Sequence, residues 1–104
     1  MEKLFEPLTI GTKVLKNRIA LAPMATGFVD FNHAVSQRMV DFYVERAKNG
    51  VGLIILGNVC IDRFQGLHSP LVPCIDHDKF LPGLQDLTYN VHLHGAKISA
   101  QLFH

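Results

Sequence analysis

Tryptophan is absent from this chain of 104 residues, and cysteine occurs only twice, at Cys60 and Cys74. Two cysteines so far apart in sequence form no CxxC redox or zinc motif, so free, reduced thiols are the expectation. Long apolar runs are missing too: the longest, Val51 to Leu56, is far too short to cross a bilayer. The opening MEKLFEPL has no basic stretch followed by an apolar one, the mark of a secretory leader. A cytoplasmic protein is therefore expected. An excess of charge of either sign is also lacking, with ten Lys and Arg against nine Asp and Glu. That balance gives no electrostatic footprint for nucleic acid or for an anionic membrane, and neither is expected as a partner.

What the chain has in quantity is apolar surface. Hydrophobic residues make up 48% and charged residues 18%. A chain of this length buries only about two-thirds of its surface on folding. This composition exceeds what one small core consumes and points to packing neighbours beyond these residues. No repeat, linker or low-complexity stretch divides it.

The order of elements follows from local signals. Leu8 to Ile10 and Lys13 to Leu15 flank Gly11-Thr12, the spacing of a tight hairpin. Arg18 to Ala22 is a short apolar strand stopped by Pro23, which cannot donate to a sheet ladder. From Ser36, an N-cap residue, apolar side chains recur at Met39, Phe42, Tyr43 and Ala47 until Asn49-Gly50, which predicts an amphipathic helix. Leu53 to Leu56 is continuously apolar, as in a strand covered on both faces, and all four residues are expected to be nearly inaccessible. An irregular stretch from Gly57 to Asp78 is long enough to be a functional loop. A second helix follows through Phe80, Leu84, Leu87 and Val91, with Pro82 in its first turn and Gly95 as its stop. Lys97 to Leu102 is a third strand.

Strand, helix, strand, helix, strand implies parallel crossovers and an α/β fold. An open doubly wound sheet and a closed barrel both begin this way. The turn after the first strand reads Pro23-Met24-Ala25-Thr26-Gly27, without the GxGxxG of a dinucleotide-binding sheet, which favours the barrel.

Several segments in order carry a further signal. Leu4-Phe5-Glu6-Pro7-Leu8, the stretch from Lys16 to Met24 (KNRIALAPM), Phe42-Tyr43 with Glu45-Arg46-Ala47, and the stretch from His94 to His104 (HGAKISAQLFH) together resemble the opening of the old yellow enzyme family. They are most similar to its branch of NADH:flavin oxidoreductases, bacterial 2,4-dienoyl-CoA reductases and enoate reductases. The resemblance covers essentially the whole chain. It implies that residues 1–104 are the N-terminal portion of an FMN-binding (β/α)8 TIM barrel, about three parallel strands and two helices after a short hairpin. It also implies ene reduction: FMN takes a hydride from NAD(P)H and passes it to an α,β-unsaturated carbonyl or enoyl-CoA substrate.

Carried over by position, the resemblance assigns cofactor contacts to Ala22, Pro23, Met24 and Ala25, where small residues after a strand permit close approach to a flavin ring. An ordinary strand-ending turn accounts for the same four. Thr26 follows with a hydroxyl able to reach the flavin's O4 or N5 edge, or simply to cap the turn. Gly57 and Asn58 end the second strand at the flavin edge, where Gly permits close approach; a strand-end turn is the alternative. Gln101 offers a donor and an acceptor to the flavin's pyrimidine edge, against the alternative of a satisfied core amide. His104 is assigned a structural hydrogen bond. His92 and His94 lie on different sides of a helix and make no metal face, and His33, His68 and His77 lack companions at ligand spacing.

No catalytic residue is assigned within these residues. The family's substrate-anchoring pair, its Tyr proton donor and its phosphate-binding residues lie downstream of position 104, as do the iron–sulfur cluster and the FAD domain of its larger members. An isolated piece of this kind is expected to be inactive and to self-associate. Two rival readings remain: a stand-alone structural or binding module completed by copies of itself, and a phosphate-binding barrel without flavin.

Overall fold

The computed structural model describes residues 2–104. After a one-turn 3-10 segment at Glu2–Phe5, strands β1 (Leu8–Ile10) and β2 (Lys13–Leu15) form the predicted antiparallel hairpin. Gly11 makes its turn possible with a φ of +60°, a conformation that costs other residues. The body of the fold is a three-stranded parallel sheet of β3 (Ala20–Leu21), β4 (Leu53–Cys60) and β5 (Lys97–Phe103), in that order across the sheet. Helices α1 (Gln37–Lys48) and α2 (Leu81–Leu93) make the two crossovers.

Both helices lie on one face of the sheet. Met39, Val40, Tyr43 and Ala47 of α1 and Leu87 and Val91 of α2 share one core with Ile54, Leu56 and Val59 of β4. Crossovers that step in the same direction and keep the same hand must place their helices on the same side, as a closing barrel requires. A doubly wound sheet reverses direction and covers both faces. Arg38, Asp41, Glu45 and Lys48 stay exposed on the outer face of α1.

The caps are where local chemistry puts them. Ser36 Oγ accepts the Met39 N–H at 3.0 Å, satisfying one of the amides that a helix start leaves without a partner. Phe80 falls in a 3-10 turn, Asp78–Phe80, that leads into α2. Asn17, buried in the chain between β2 and β3, ties the sheet's lower end together: its Nδ2 donates to the Gly50 carbonyl at 2.6 Å and its Oδ1 accepts the Ile19 N–H at 3.0 Å. Gly52 is beside it, where a Cβ would stand 2.4 Å from Asn17 Oδ1, so position 52 has no room for a side chain.

Three expectations need correction. Strand β3 keeps only Ala20–Leu21 of the expected Arg18–Ala22, because it pairs with β4 at just those two positions. Leu53 to Leu56 is not inaccessible throughout: Ile54 and Leu56 are buried under the helices, whereas Leu53 and Ile55, alternating to the other face, are half-buried. Nor does β4 stop at Leu56. It runs through Gly57 and Asn58 to Cys60, so the loop that follows begins at Ile61.

Candidate functional site

The register of the sheet shows how Gly57 and Asn58 fit inside a strand. Leu56 pairs with Ala100 and Val59 with Leu102, leaving Gly57 and Asn58 of β4 opposite the single residue Gln101 of β5. This is a β-bulge, and Asn58 accommodates it with a φ of +55°, a region that Asn tolerates better than most residues. Neither residue is the strand-end turn that their types suggest. Bulges recur beside functional sites because they re-aim the chain.

The bulge also touches the segment that leaves the neighbouring strand β3. A Cβ on Gly57 would stand 2.4 Å from the Met24 backbone nitrogen and 2.7 Å from its carbonyl carbon and oxygen. The segment that leaves β3, Ala22 to Thr26, therefore crosses directly against Gly57. The eight residues singled out from sequence thus form one strip at the C-terminal ends of three adjacent strands: Ala22, Pro23, Met24, Ala25 and Thr26 after β3, Gly57 and Asn58 in β4, and Gln101 in β5.

Their surfaces are of two kinds. Ala22, Met24 and Ala25 are exposed, giving a small apolar face with Met24 at 57%. Gln101 is exposed as well, on the side of β5 that alternates away from the helices. Among the described residues nothing hydrogen-bonds its amide. Thr26 Oγ1 accepts the Phe28 N–H at 3.3 Å, the turn-capping role foreseen for it. A hydroxyl that accepts keeps its own proton to donate.

Behind the bulge, the buried Tyr43 of α1 backs onto the same strand. Burial pushes its phenol above the ordinary value, while the Gly57 backbone amide and the Arg46 charge act the other way.

The loop after β4 is more ordered than its composition suggests. Cys60 and Cys74 form a parallel bridge, with the Cys60 N–H on the Pro73 carbonyl at 2.9 Å and the Ile75 N–H on the Cys60 carbonyl at 3.0 Å. The segment between them is therefore pinned at its base. Both thiols are free and buried, and burial together with the neighbouring Cys60 pushes Cys74 up to about 12. Sequence separation hid this pair, because only the folded loop brings the two together. His33, in the loop after β3, joins the two loops: its carbonyl accepts the Cys74 N–H at 3.1 Å and its Nδ1 lies 3.1 Å from the Val72 carbonyl. His68 meets Phe103 with ring centroids 4.7 Å apart and the rings tilted by 49°.

Arg63 and Asp76 clamp the same loop. Arg63 gives Asp76 both its backbone N–H, at 2.8 Å, and a guanidinium N–H, at 2.9 Å. Burial pushes the Asp76 carboxyl up, but the Arg63 backbone N–H and charge outweigh it and hold the group below its usual value. A depressed carboxylate stabilises the fold above its unfolded pKa, about 3.9, and that contribution disappears as pH falls through the lower folded value. Asp76→Asn should therefore speed exchange of the Arg63 amide at pH 7, with the difference from wild type vanishing in strong acid. Equal exchange at pH 7 would show that the clamp holds nothing.

Among the described residues no group of three His, Cys, Asp or Glu stands together as a metal site, and no helix is long and apolar enough to cross a membrane. Hollows lie away from the strip, among them one of about 200 Å3 between α2 and the sheet around Leu87 and Ala100. One of about 380 Å3 is on the outer side of α2 around Thr88 and Tyr89, and one of about 280 Å3 lies between the hairpin and the N-terminal ends of β4 and β5.

The geometry has counterparts in known proteins. The chain is 46% identical over 101 residues to an NADH oxidase of Thermoanaerobacter brockii, covering 97% of this chain and 16% of that protein. It is 38% identical over 103 residues to a cinnamate reductase of Clostridium sporogenes, covering 95% of this chain and 16% of that one. The old yellow enzyme homologue of Zymomonas mobilis superposes with a TM-score of 0.90 at 35% identity, over 98% of this chain and 28% of that structure. The chain thus spans about one-sixth of the two relatives' length, and its sheet is part of a TIM barrel. The family model of the NADH:flavin oxidoreductase / NADH oxidase family matches residues 3–104, and the chain belongs to that family.

Proposed function

We propose that the strip formed by Ala22, Pro23, Met24, Ala25, Thr26, Gly57, Asn58 and Gln101 holds FMN, in a protein that uses NAD(P)H to reduce activated C=C bonds. The observation that carries this reading is the convergence of the eight residues at the C-terminal ends of three neighbouring strands, the end at which barrels of this type build their sites.

The residues suit the group. A flat, partly apolar ring with a polar edge needs a small-residue surface and a few placed hydrogen-bonding groups. Ala22, Met24 and Ala25 offer the first, exposed within one four-residue segment. Gln101, with an amide that no described residue engages, and Thr26, with a proton to donate, offer the second. Gly57 contributes by having no side chain, since any Cβ there would displace Met24. When bound, FMN supplies hydride transfer. The protein's part here is to orient the ring from one side, exclude water from that face and present donors to its edge.

The substrate class we infer is an α,β-unsaturated carbonyl compound or enoyl-CoA, in keeping with a relative named for cinnamate reduction. NAD(P)H as hydride donor is in keeping with the name of the family. No residue of this strip is an acid suited to protonate substrate, so that role falls outside it. An iron–sulfur cluster and FAD, if the natural protein has them, belong to other regions. The 104 residues alone are inactive on this reading and associate through their open sheet edges.

Gln101→Leu tests the assignment. In the natural full-length protein it should weaken FMN binding by about 1–3 kcal/mol, the cost of leaving a buried polar group unpaired. Flavin content and affinity equal to wild type would remove Gln101 from the site.

A further inference from the structure

Phe28 is not among the residues that face the proposed flavin site, yet it is tied to that site and to α1 at once. Its N–H is the group that Thr26 Oγ1 accepts, at 3.3 Å. Its carbonyl accepts the hydroxyl of Ser36, the same residue that caps α1 through the Met39 N–H at 3.0 Å. Its ring meets Phe42 edge-on, with centroids 5.6 Å apart at 72°, and the Arg38 guanidinium lies 4.0 Å from the ring's centre. Backbone donor, backbone acceptor and side chain are thus each held by a different partner, and three of those partners, Ser36, Arg38 and Phe42, belong to α1 or its cap. Edge-to-face and cation–π contacts of this kind fix orientation as well as adding attraction.

We propose that Phe28 is a positioning residue: anchored on α1, it fixes through its own N–H the direction in which the Thr26 hydroxyl presents its proton, and so sets the electron affinity of the bound FMN. The inference rests on the reading of Thr26 as a flavin contact. Its physical basis is general. A two-electron-reduced flavin carries more negative charge on its pyrimidine edge than the oxidised form, so a well-aimed donor there favours the reduced state, and a donor free to rotate favours it less. With one of its two lone pairs committed to the Phe28 N–H, the hydroxyl has fewer directions in which to point its proton. Without the ring's anchorage, that commitment loosens.

The test is a double-mutant cycle read on the FMN midpoint potential of the natural full-length holoprotein. Thr26→Val should lower the potential. Phe28→Leu should lower it by a smaller amount, changing the ratio of reduced to oxidised flavin at fixed potential by about three- to tenfold, as expected for one ordinary hydrogen bond. The double variant should match Thr26→Val alone. A structural role by itself would move melting temperature and leave the potential unchanged or shifted equally in both backgrounds. Phe28→Leu at the wild-type potential, or with an undiminished effect in the Thr26→Val background, overturns the proposal while the Thr26 reading stands. Thr26→Val without any shift overturns both. If Phe28→Leu does not fold, Arg38→Met, which leaves the ring and the core in place, goes through the same cycle. A lowering that disappears in the Thr26→Val background supports the proposal, and no lowering, or an equal one in both, overturns it.

Discussion

Gly57→Ala is expected to cost the natural protein about 3 kcal/mol of stability, at the top of the usual range for an overpacked site, and most of its flavin. The added Cβ would meet the Met24 backbone nitrogen at 2.4 Å, and its carbonyl carbon and oxygen at 2.7 Å. These are main-chain atoms, so no rotamer change relieves the clash. Either β4 must move away from β3, opening the core around Ile54 and Leu56, or the segment from Ala22 to Thr26 must lift out of the strip. The first route lowers stability and the second removes the flavin surface. Urea unfolding of the apoprotein and flavin content of the purified protein measure the two separately. A variant with wild-type values of both would mean that the contact between Gly57 and Met24 is not part of the working structure.

The second large effect concerns the 104 residues produced alone. Among the described residues β3 and β5 each pair only with β4, leaving one edge of each without a partner. The face of the sheet turned away from the helices carries the half-buried Leu53 and Ile55, and on the helix side, near the end of β5, Leu102 is 58% exposed. Open edges and uncovered apolar surface promote association, each Å2 buried contributing about 25 cal/mol. The chain should therefore run as an oligomer in solution and show no turnover of an enone with NADH and added FMN beyond that of free flavin. A stable monomer would show that the edges are protected in another way. Turnover would show that the donor of the proton lies within these residues.

Much of the fold could be read from sequence because the signals are local. The hairpin needs only Gly11 between two short apolar runs, and α1 needs only Ser36, a helical stripe and Asn49-Gly50. The strip was readable for a different reason: its segments match a known family in order. What escaped the sequence depends on contacts between distant residues. Gly57-Asn58 looks like a strand end, since both residue types favour turns, and only the pairing of Val59 with Leu102 shows that the strand resumes. Cys60 and Cys74 meet because the loop closes on itself, and no spacing rule announces that. Phe28 and Phe42 belong to different elements and share no periodicity, so their contact had no signature.

The central claim is that one strip across β3, β4 and β5 holds the flavin, and a structure of the natural full-length protein with FMN bound tests it most directly. The isoalloxazine should lie against Ala22 to Ala25, with its pyrimidine edge within hydrogen-bonding distance, about 3 Å, of the Gln101 amide and the Thr26 hydroxyl. A flavin seated elsewhere, with Gln101 and Thr26 facing solvent, would contradict the account.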